Sequence, residues 1–307
     1  MDQRPGDNEE VGTLQEMGRL LTAMATPFAK DLSVDYKKAA ELAVRLVDGG
    51  SDGIVVAGST GESATLGEDE KLRLFTTVVE AVGERATVIA GTGTYSTAAT
   101  VAFTRKAEAT GVHGVLVVVP YYNKPPQEGL YQHFREVAEA TSLPVIAYNI
   151  PGRTGVNLLP KTLLRLANDV PNLVGIKEAS GSLDQIAEVL RDRAPAFLVY
   201  AGDDSFTLPV LAMGGNGVIS VAGHLVGNRM KEMIEAHASG NVRLAADIHL
   251  QLTVLFRALF VTTNPIPLKW ALRLVGFDAG LVRPPLCPPT EAEGEIIQNA
   301  LRSLGLI

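Results

Sequence analysis

The first residue that invites a chemical explanation is a lysine at the end of an apolar run. Lys177 closes Leu173-Val174-Gly175-Ile176-Lys177, a stretch that reads as a buried strand. Burial disfavours the ammonium form, lowers the lysine pKa and leaves a nucleophilic amine near neutral pH. A strand-end lysine can also snorkel and pair with a carboxylate, and Glu178 and Asp203 are the candidates. Position alone leaves both readings open. Tyr148 ends the preceding apolar run, and a phenol that donates and accepts can move protons beside such an amine. Its plainer role is a half-buried aromatic with a satisfied hydroxyl. Ser59 and Thr60 occupy the glycine-flanked turn Gly58-Ser59-Thr60-Gly61, where backbone N–H groups can converge on a carboxylate or simply close a tight loop. Arg153 follows Pro151-Gly152 and offers either a fixed fork for a carboxylate or a solvated loop cation. Tyr121-Tyr122 before Asn123-Lys124-Pro125 forms an exposed aromatic loop, of a kind that more often serves an interface than chemistry.

These residues must be held by regular elements, and the hydrophobic pattern supplies them. It predicts strands over 20–25, 53–57, 87–91, 114–119, 144–149, 173–177, 197–201 and 217–221. Helices are predicted over 35–48, 68–82, 97–110, 127–140, 160–166, 183–191, 206–213 and 227–238. Asp35 is a plausible N-cap, with Leu42, Val44 and Leu46 feeding an inner face. Gly49-Gly50, Gly111 and Gly214-Gly215 stand where helices should stop. Continuous apolar strands such as Val115-Leu116-Val117-Val118-Val119 suit a parallel sheet covered by helices. Eight strand–helix units predict an α/β fold, a (β/α)8 TIM barrel, with a C-terminal helical extension over 241–259, 266–275 and 291–304. An open doubly wound sheet would usually carry a Gly-x-Gly-x-x-Gly turn; Gly91-Thr92-Gly93 begins one, but position 96 is Ser. The organisation expected is a mobile tail over 1–14, the catalytic barrel over 15–225, and the last barrel helix and extension over 226–307 in the same unit. In a barrel, all the polar strand ends, Asp203-Asp204 included, would face one rim.

Composition narrows the function classes. With 46% hydrophobic and 20% charged residues, 307 residues suffice for a large packed core. Lys and Arg number 27 against 34 Asp and Glu, and a net charge of −7 argues against a nucleic-acid surface. The single Cys287, set among prolines, allows no internal disulfide and no Cys-based zinc site, and reads as a packing residue. His113, His133, His224, His237 and His249 show no ligand spacing, so no metal is expected. The polar, acidic N-terminus lacks a signal-peptide pattern and no apolar run could cross a bilayer, which reads as a cytoplasmic soluble protein without a membrane partner.

Several stretches in order carry a resemblance: Met24-Ala25-Thr26-Pro27-Phe28, Gly58-Ser59-Thr60-Gly61-Glu62-Ser63, Pro120-Tyr121-Tyr122-Asn123-Lys124-Pro125, Tyr148-Asn149-Ile150-Pro151-Gly152-Arg153-Thr154-Gly155, Gly175-Ile176-Lys177-Glu178, Gly202-Asp203-Asp204, Gly217-Val218-Ile219-Ser220 and Asn264-Pro265-Ile266-Pro267-Leu268-Lys269-Trp270. Together they make the chain similar to the dihydrodipicolinate synthase family of the N-acetylneuraminate lyase superfamily, over about residues 20–286. The resemblance implies a Schiff-base lyase that condenses pyruvate with L-aspartate 4-semialdehyde in lysine and diaminopimelate biosynthesis. It implies that Lys177 forms the imine with pyruvate, and that Tyr148, Ser59 and Tyr122 form a proton relay, Tyr122 reaching in from a neighbouring subunit. It further implies that Thr60 and Ile219 contact pyruvate, that Gly202 lies at the substrate, and that Arg153 grips the carboxylate of the aldehyde. A homotetramer built as a dimer of dimers, with no organic cofactor, is implied as well.

Two departures from the family pattern matter. Ser59-Thr60 stands where many members have two threonines. Serine keeps the hydroxyl, but the Ser-Thr pair is also common in sialic-acid lyases; Arg153 favours the synthase, since the lyase branch lacks an arginine in that turn. Members inhibited by lysine place His, Asn and Glu around an interface pocket beside the first tyrosine of the pair. The matching positions here are Lys71, Tyr95 and Ala99, with Tyr121 retained, and the expectation is weak or absent lysine inhibition. Rival readings are a 2-keto-3-deoxy sugar-acid aldolase or a sialic-acid lyase, both of which would use Lys177 and Tyr148. A remote one is a serine hydrolase built on Ser59, Asp203 and His224. Against it, Ala57 replaces the first glycine of a nucleophile elbow and the next helix is predicted only near residue 68.

Overall fold

Eight strands pair in parallel, each with the next and the eighth with the first, to close a barrel. They are β1 (Leu20–Ala23), β2 (Gly53–Val56), β3 (Thr87–Gly91), β4 (Gly114–Val118), β5 (Val145–Asn149), β6 (Leu173–Glu178), β7 (Leu198–Ala201) and β8 (Gly217–Ser220). The structure, a computed structural model, describes residues 17–307; the tail expected over 1–14 lies outside them. Both faces of the sheet are covered, which is why the strands read as unbroken apolar runs. Leu20, Ile54, Val56, Val88, Val115, Val117, Val145 and Val199 face the helices. Leu21, Val55, Ile89, Leu116, Ile146, Tyr148, Leu198, Tyr200 and Ile219 fill the interior.

The covering helices follow from their spacing. Helix Tyr36–Asp48 is capped by the Asp35 carboxylate, which accepts from the Lys38 amide at 3.0 Å. It buries Ala39, Leu42, Ala43 and Leu46, a stripe at intervals of three and four. Val44, expected on that face, is only half-buried, because a residue two positions from Leu42 falls some 200° around the helix. Helix Glu68–Val82 has the predicted bounds, while most other elements differ by one to four residues. The eighth barrel helix starts at Gly223 rather than 227, and Val226, with φ −134°, kinks it there. Arg153 lies in a short helix, Pro151–Thr154, and not in a Pro-Gly turn. Cys287 is exposed, so it is not the packing residue expected: the prolines around it keep that segment on the surface.

Strand β6 carries the one register shift in the barrel. Val145 faces Leu173 and Ile146 faces Gly175, so Val174 is an extra residue opposite β5. Leu173 packs outward, Val174 packs inward, and Ile176 packs outward again. Val174 and Gly175 therefore occupy inner positions in succession, and the alternation restarts with Lys177 inside and Glu178 outside. Glycine suits the crowded point, since a Cβ at Gly175 would lie 2.7 Å from the Leu198 carbonyl oxygen.

Helices Val242–Ala258, Ile266–Leu274 and Glu291–Ser303 extend the chain beyond the barrel. Leu252, Leu255, Leu268, Leu272, Ile297 and Leu301 join the same outer cluster as the barrel helices. Among the described residues, no helix is long and apolar enough to cross a membrane.

Candidate active site

Lys177 and Tyr148 are register partners on β6 and β5, and both point into the barrel. The Lys177 nitrogen lies 4.5 Å from the centroid of the Tyr148 ring. Both residues are 5% exposed. Burial is the main reason the Lys177 amine is lowered to about 8; Arg153 adds to the effect, while Asp204 and Asp203 oppose it. Among the described residues no carboxylate forms an ion pair with Lys177. Glu178, one of the two partners considered for it, points the other way, where it accepts from Asn149 at 3.1 Å, from the Ser180 amide at 2.7 Å and from Gln185 at 3.0 Å. The other, Asp203, is occupied by the Ser205 amide and hydroxyl at 2.8 and 2.7 Å. The Tyr148 phenol is pushed up to about 12 by burial, with the hydrogen bond to the Ser59 side chain pulling the other way.

The Ser59–Thr60 turn closes through amide bonds donated by Gly61, Glu62 and Ser63 to Gly58 or Ser59 carbonyls. The Ser59 and Thr60 amides donate no bond within the described residues, so both N–H groups are available to an anion. Thr60 accepts at its hydroxyl from the Asn264 side chain at 2.8 Å. The Asn264 carbonyl in turn accepts from the Arg153 guanidinium at 3.1 Å. Asn264 belongs to the extension, and it ties the β2 turn to the arginine after β5.

Asp204, expected as one of two rim carboxylates, is instead 1% exposed and organises the end of β8. It accepts from the Ser220 hydroxyl at 2.5 Å and from the Val221 and Ala222 amides at 3.1 and 2.9 Å. Burial raises its carboxyl to about 6. Glu62 and Lys269, which spacing along the chain does not single out, form an ion pair of 2.7 Å with side chains 1% and 3% exposed. The available signal was one charge inside a glycine turn and one inside an apolar helix.

A cavity of about 580 Å³ opens above these groups. Ser59, Tyr148, Arg153 and Asn264 line it, together with Lys71, Tyr95, Ala99 and Tyr121. Lys177, Thr60 and Ile219 are buried and do not line it, whereas Tyr148 lines it and packs against the amine. Ile219 sits in the barrel interior. Gly202 is placed at the end of β7, its amide bonded to the Glu178 carbonyl at 2.8 Å, away from the cavity wall. Tyr122 is not brought to the site by its own chain: it is 92% exposed, with φ +74°.

The triad imagined on Ser59 and His224 is absent. The Ala25 amide donates to His224 Nε2 at 3.1 Å, and Nδ1 meets the Val221 carbonyl at 2.9 Å. Burial depresses this imidazole to about 4, and both its nitrogens serve the backbone. No three His, Cys, Asp or Glu among the described residues group to hold a metal ion.

Comparison with known proteins gives one consistent result. The Dihydrodipicolinate synthetase family matches residues 16–304. The chain is 57% identical over 291 residues to a 4-hydroxy-tetrahydrodipicolinate synthase of Heliobacterium modesticaldum, covering 95% of this chain and 97% of that one. It is 54% identical over 292 residues to the enzyme of that name from Desulforamulus reducens, covering 95% and 99%. Among solved structures, the Cyanidioschyzon merolae protein with lysine bound superposes with a TM-score of 0.93 at 47% identity, covering 95% of this chain and 99% of that one.

Proposed function

The chain belongs to the dihydrodipicolinate synthetase family, and on that premise we propose that it condenses pyruvate with L-aspartate 4-semialdehyde through an imine on Lys177. The observation that carries this reading is the buried amine, lowered to about 8 and facing a phenol across the strand pair. The product class is 4-hydroxy-tetrahydrodipicolinate, on the route to diaminopimelate and lysine, and the reaction is that of a lyase.

Neutral Lys177 attacks the ketone carbon of pyruvate, and loss of water leaves the imine. The Ser59 and Thr60 amides hold the pyruvate carboxylate. Tyr148, bonded to Ser59, carries protons to and from the carbinolamine. Removal of a methyl proton gives the enamine, whose carbon attacks the aldehyde carbon of the second substrate. Arg153, fixed by the Asn264 carbonyl, grips that substrate's carboxylate. The substrate amine then adds to the imine carbon, and expulsion of Lys177 closes the ring and frees the enzyme. No organic cofactor enters these steps. Ile219 contacts pyruvate from the barrel interior, and Gly202 lies at the substrate from the end of β7.

Tyr122 completes the relay from a second copy of the chain, in a tetramer of two tight dimers. Its outward exposure supports that reading. A cytoplasmic location goes with the biosynthetic role.

Incubation with pyruvate and borohydride, followed by mass spectrometry of the Lys177 peptide, tests the imine. A reduced pyruvate adduct on Lys177 is expected; an unmodified Lys177 in an active enzyme would sink the reading. Aspartate semialdehyde assayed against 2-keto-3-deoxy sugar acids and sialic acid tests the second substrate.

A further inference from the structure

Glu62 sits at the end of the turn that carries Ser59 and Thr60, in the left-handed region at φ +55°. Its amide donates to the Ser59 carbonyl at 3.1 Å, so its backbone closes that turn. Its side chain leaves the barrel for the C-terminal extension. One oxygen meets Lys269 Nζ at 2.7 Å, and the other accepts from the Arg283 amide at 2.8 Å. Lys269 is itself fixed, donating to the Leu281 carbonyl at 3.0 Å and lying 4.0 Å from the centroid of the Phe28 ring. The Arg283 guanidinium reaches the Glu70 carboxylate, the Leu32 carbonyl and the Thr65 carbonyl at 2.5 to 2.9 Å. Asn264, at the start of the same segment, holds Thr60.

We propose that the buried Glu62–Lys269 pair is a positioning device through which the C-terminal extension sets the Ser59–Thr60 turn for pyruvate. A buried ion pair is a poor way to gain stability, because the desolvation of two charges offsets their attraction and apolar residues of similar size often serve as well. What such a pair adds is direction. It allows one arrangement of Glu62, and Glu62 is one peptide from Gly61 and two from Thr60. The two amides that are free to take a carboxylate thus depend on a lysine far along the chain. Lys269 lies outside the cavity wall, so it acts through Glu62. Arg153 is tied to the Asn264 carbonyl rather than to the pair, so the aldehyde site depends on the pair less directly than the Ser59–Thr60 turn does.

The inference rests on the proposed imine chemistry, and the measurement separates the two. Lys269→Met in the full-length enzyme is expected to raise the pyruvate KM about tenfold while the aldehyde KM changes less than about twofold. Borohydride trapping on Lys177 should fall at low pyruvate and recover at saturation. Lys269→Met also leaves Glu62 buried without its partner, so Glu62→Gln/Lys269→Met is made alongside it to remove both charges. The double variant is expected to regain unfolding temperature but to keep the raised pyruvate KM. A folded Lys269→Met enzyme with unchanged pyruvate KM overturns the proposal. So does a double variant whose pyruvate KM returns in step with its stability, which would make the pair a structural support only. Failure of the parent enzyme to trap pyruvate would strike the imine reading instead.

Discussion

Tyr148 and Lys177 face each other directly across the β5–β6 pairing, with the amine nitrogen 4.5 Å from the phenol's ring centroid and both side chains turned into the barrel. The ring packs against the amine, the role proposed for its hydroxyl is proton transfer, and these two duties can be parted. Tyr148→Phe keeps the ring and loses the hydroxyl. The kcat is expected to fall about 100-fold, while pyruvate is still trapped on Lys177 by borohydride at long incubation. Retention of full turnover by this variant would remove Tyr148 from the mechanism.

The pH dependence follows from the amine. In the proposed mechanism only neutral Lys177 attacks pyruvate, and burial lowers it to about 8. Below that pH, kcat/KM for pyruvate should rise roughly tenfold per pH unit and then level off above about 8. Stability moves with it: between about 8 and the ordinary 10.5 the unfolded chain binds more protons, so this group's contribution improves as pH rises across that window. Below about 8 its burial penalty is complete. A pyruvate profile flat from pH 6 to 8 would contradict the assignment.

Asp204 gives a test with a less obvious sign. Its charge favours the protonated form of Lys177. Asp204→Asn should therefore move the midpoint of the pyruvate profile to lower pH. The same change sets an amide NH2 among donors from Ser220, Val221 and Ala222, which should cost about 2 kcal/mol of stability. Thermal unfolding and the pH profile read the two effects separately, and an upward midpoint shift would refute the electrostatic argument.

Lysine is expected to bind weakly or not at all. Lys71 brings a cation to the cavity wall, Tyr95 a bulky ring, and Ala99 no carboxylate for an ammonium. The Lys71 nitrogen lies 5.5 Å from the centroid of the Phe103 ring, which also lines the cavity. Calorimetric titration with lysine should give no saturable heat; tight binding would show that other groups satisfy the ligand.

Much of this was legible in the sequence because strand and helix patterns are local. Eight apolar runs between amphipathic segments specify the barrel, and a lysine ending one of them is costly enough to stand out. The short helix holding Arg153 was not legible, since one turn is too brief to show a period and Pro151-Gly152 reads equally as a loop. The bulge at Val174 was hidden for another reason: in Leu173-Val174-Gly175-Ile176, apolar on both faces, composition says nothing about which side each residue takes. Asp204 and the Glu62–Lys269 pair depend on contacts between distant segments, which spacing along the chain does not encode. Tyr122 was singled out only by resemblance, and its own fold turns it to solvent.

The extra residue in β6 makes the amine's whereabouts a matter of parity. Of six residues from Leu173 to Glu178, one has no counterpart on β5, and that odd member decides whether a carboxylate or an amine looks into the hollow. Were Val174 paired in regular alternation with β5 instead, every reactive side chain would remain, yet Lys177 would turn outward and Glu178 would face the hollow; losing Val174 would merely erase the bulge and leave Lys177 inside. How the residues of this strand pair is thus as informative for recognising a working enzyme as naming them.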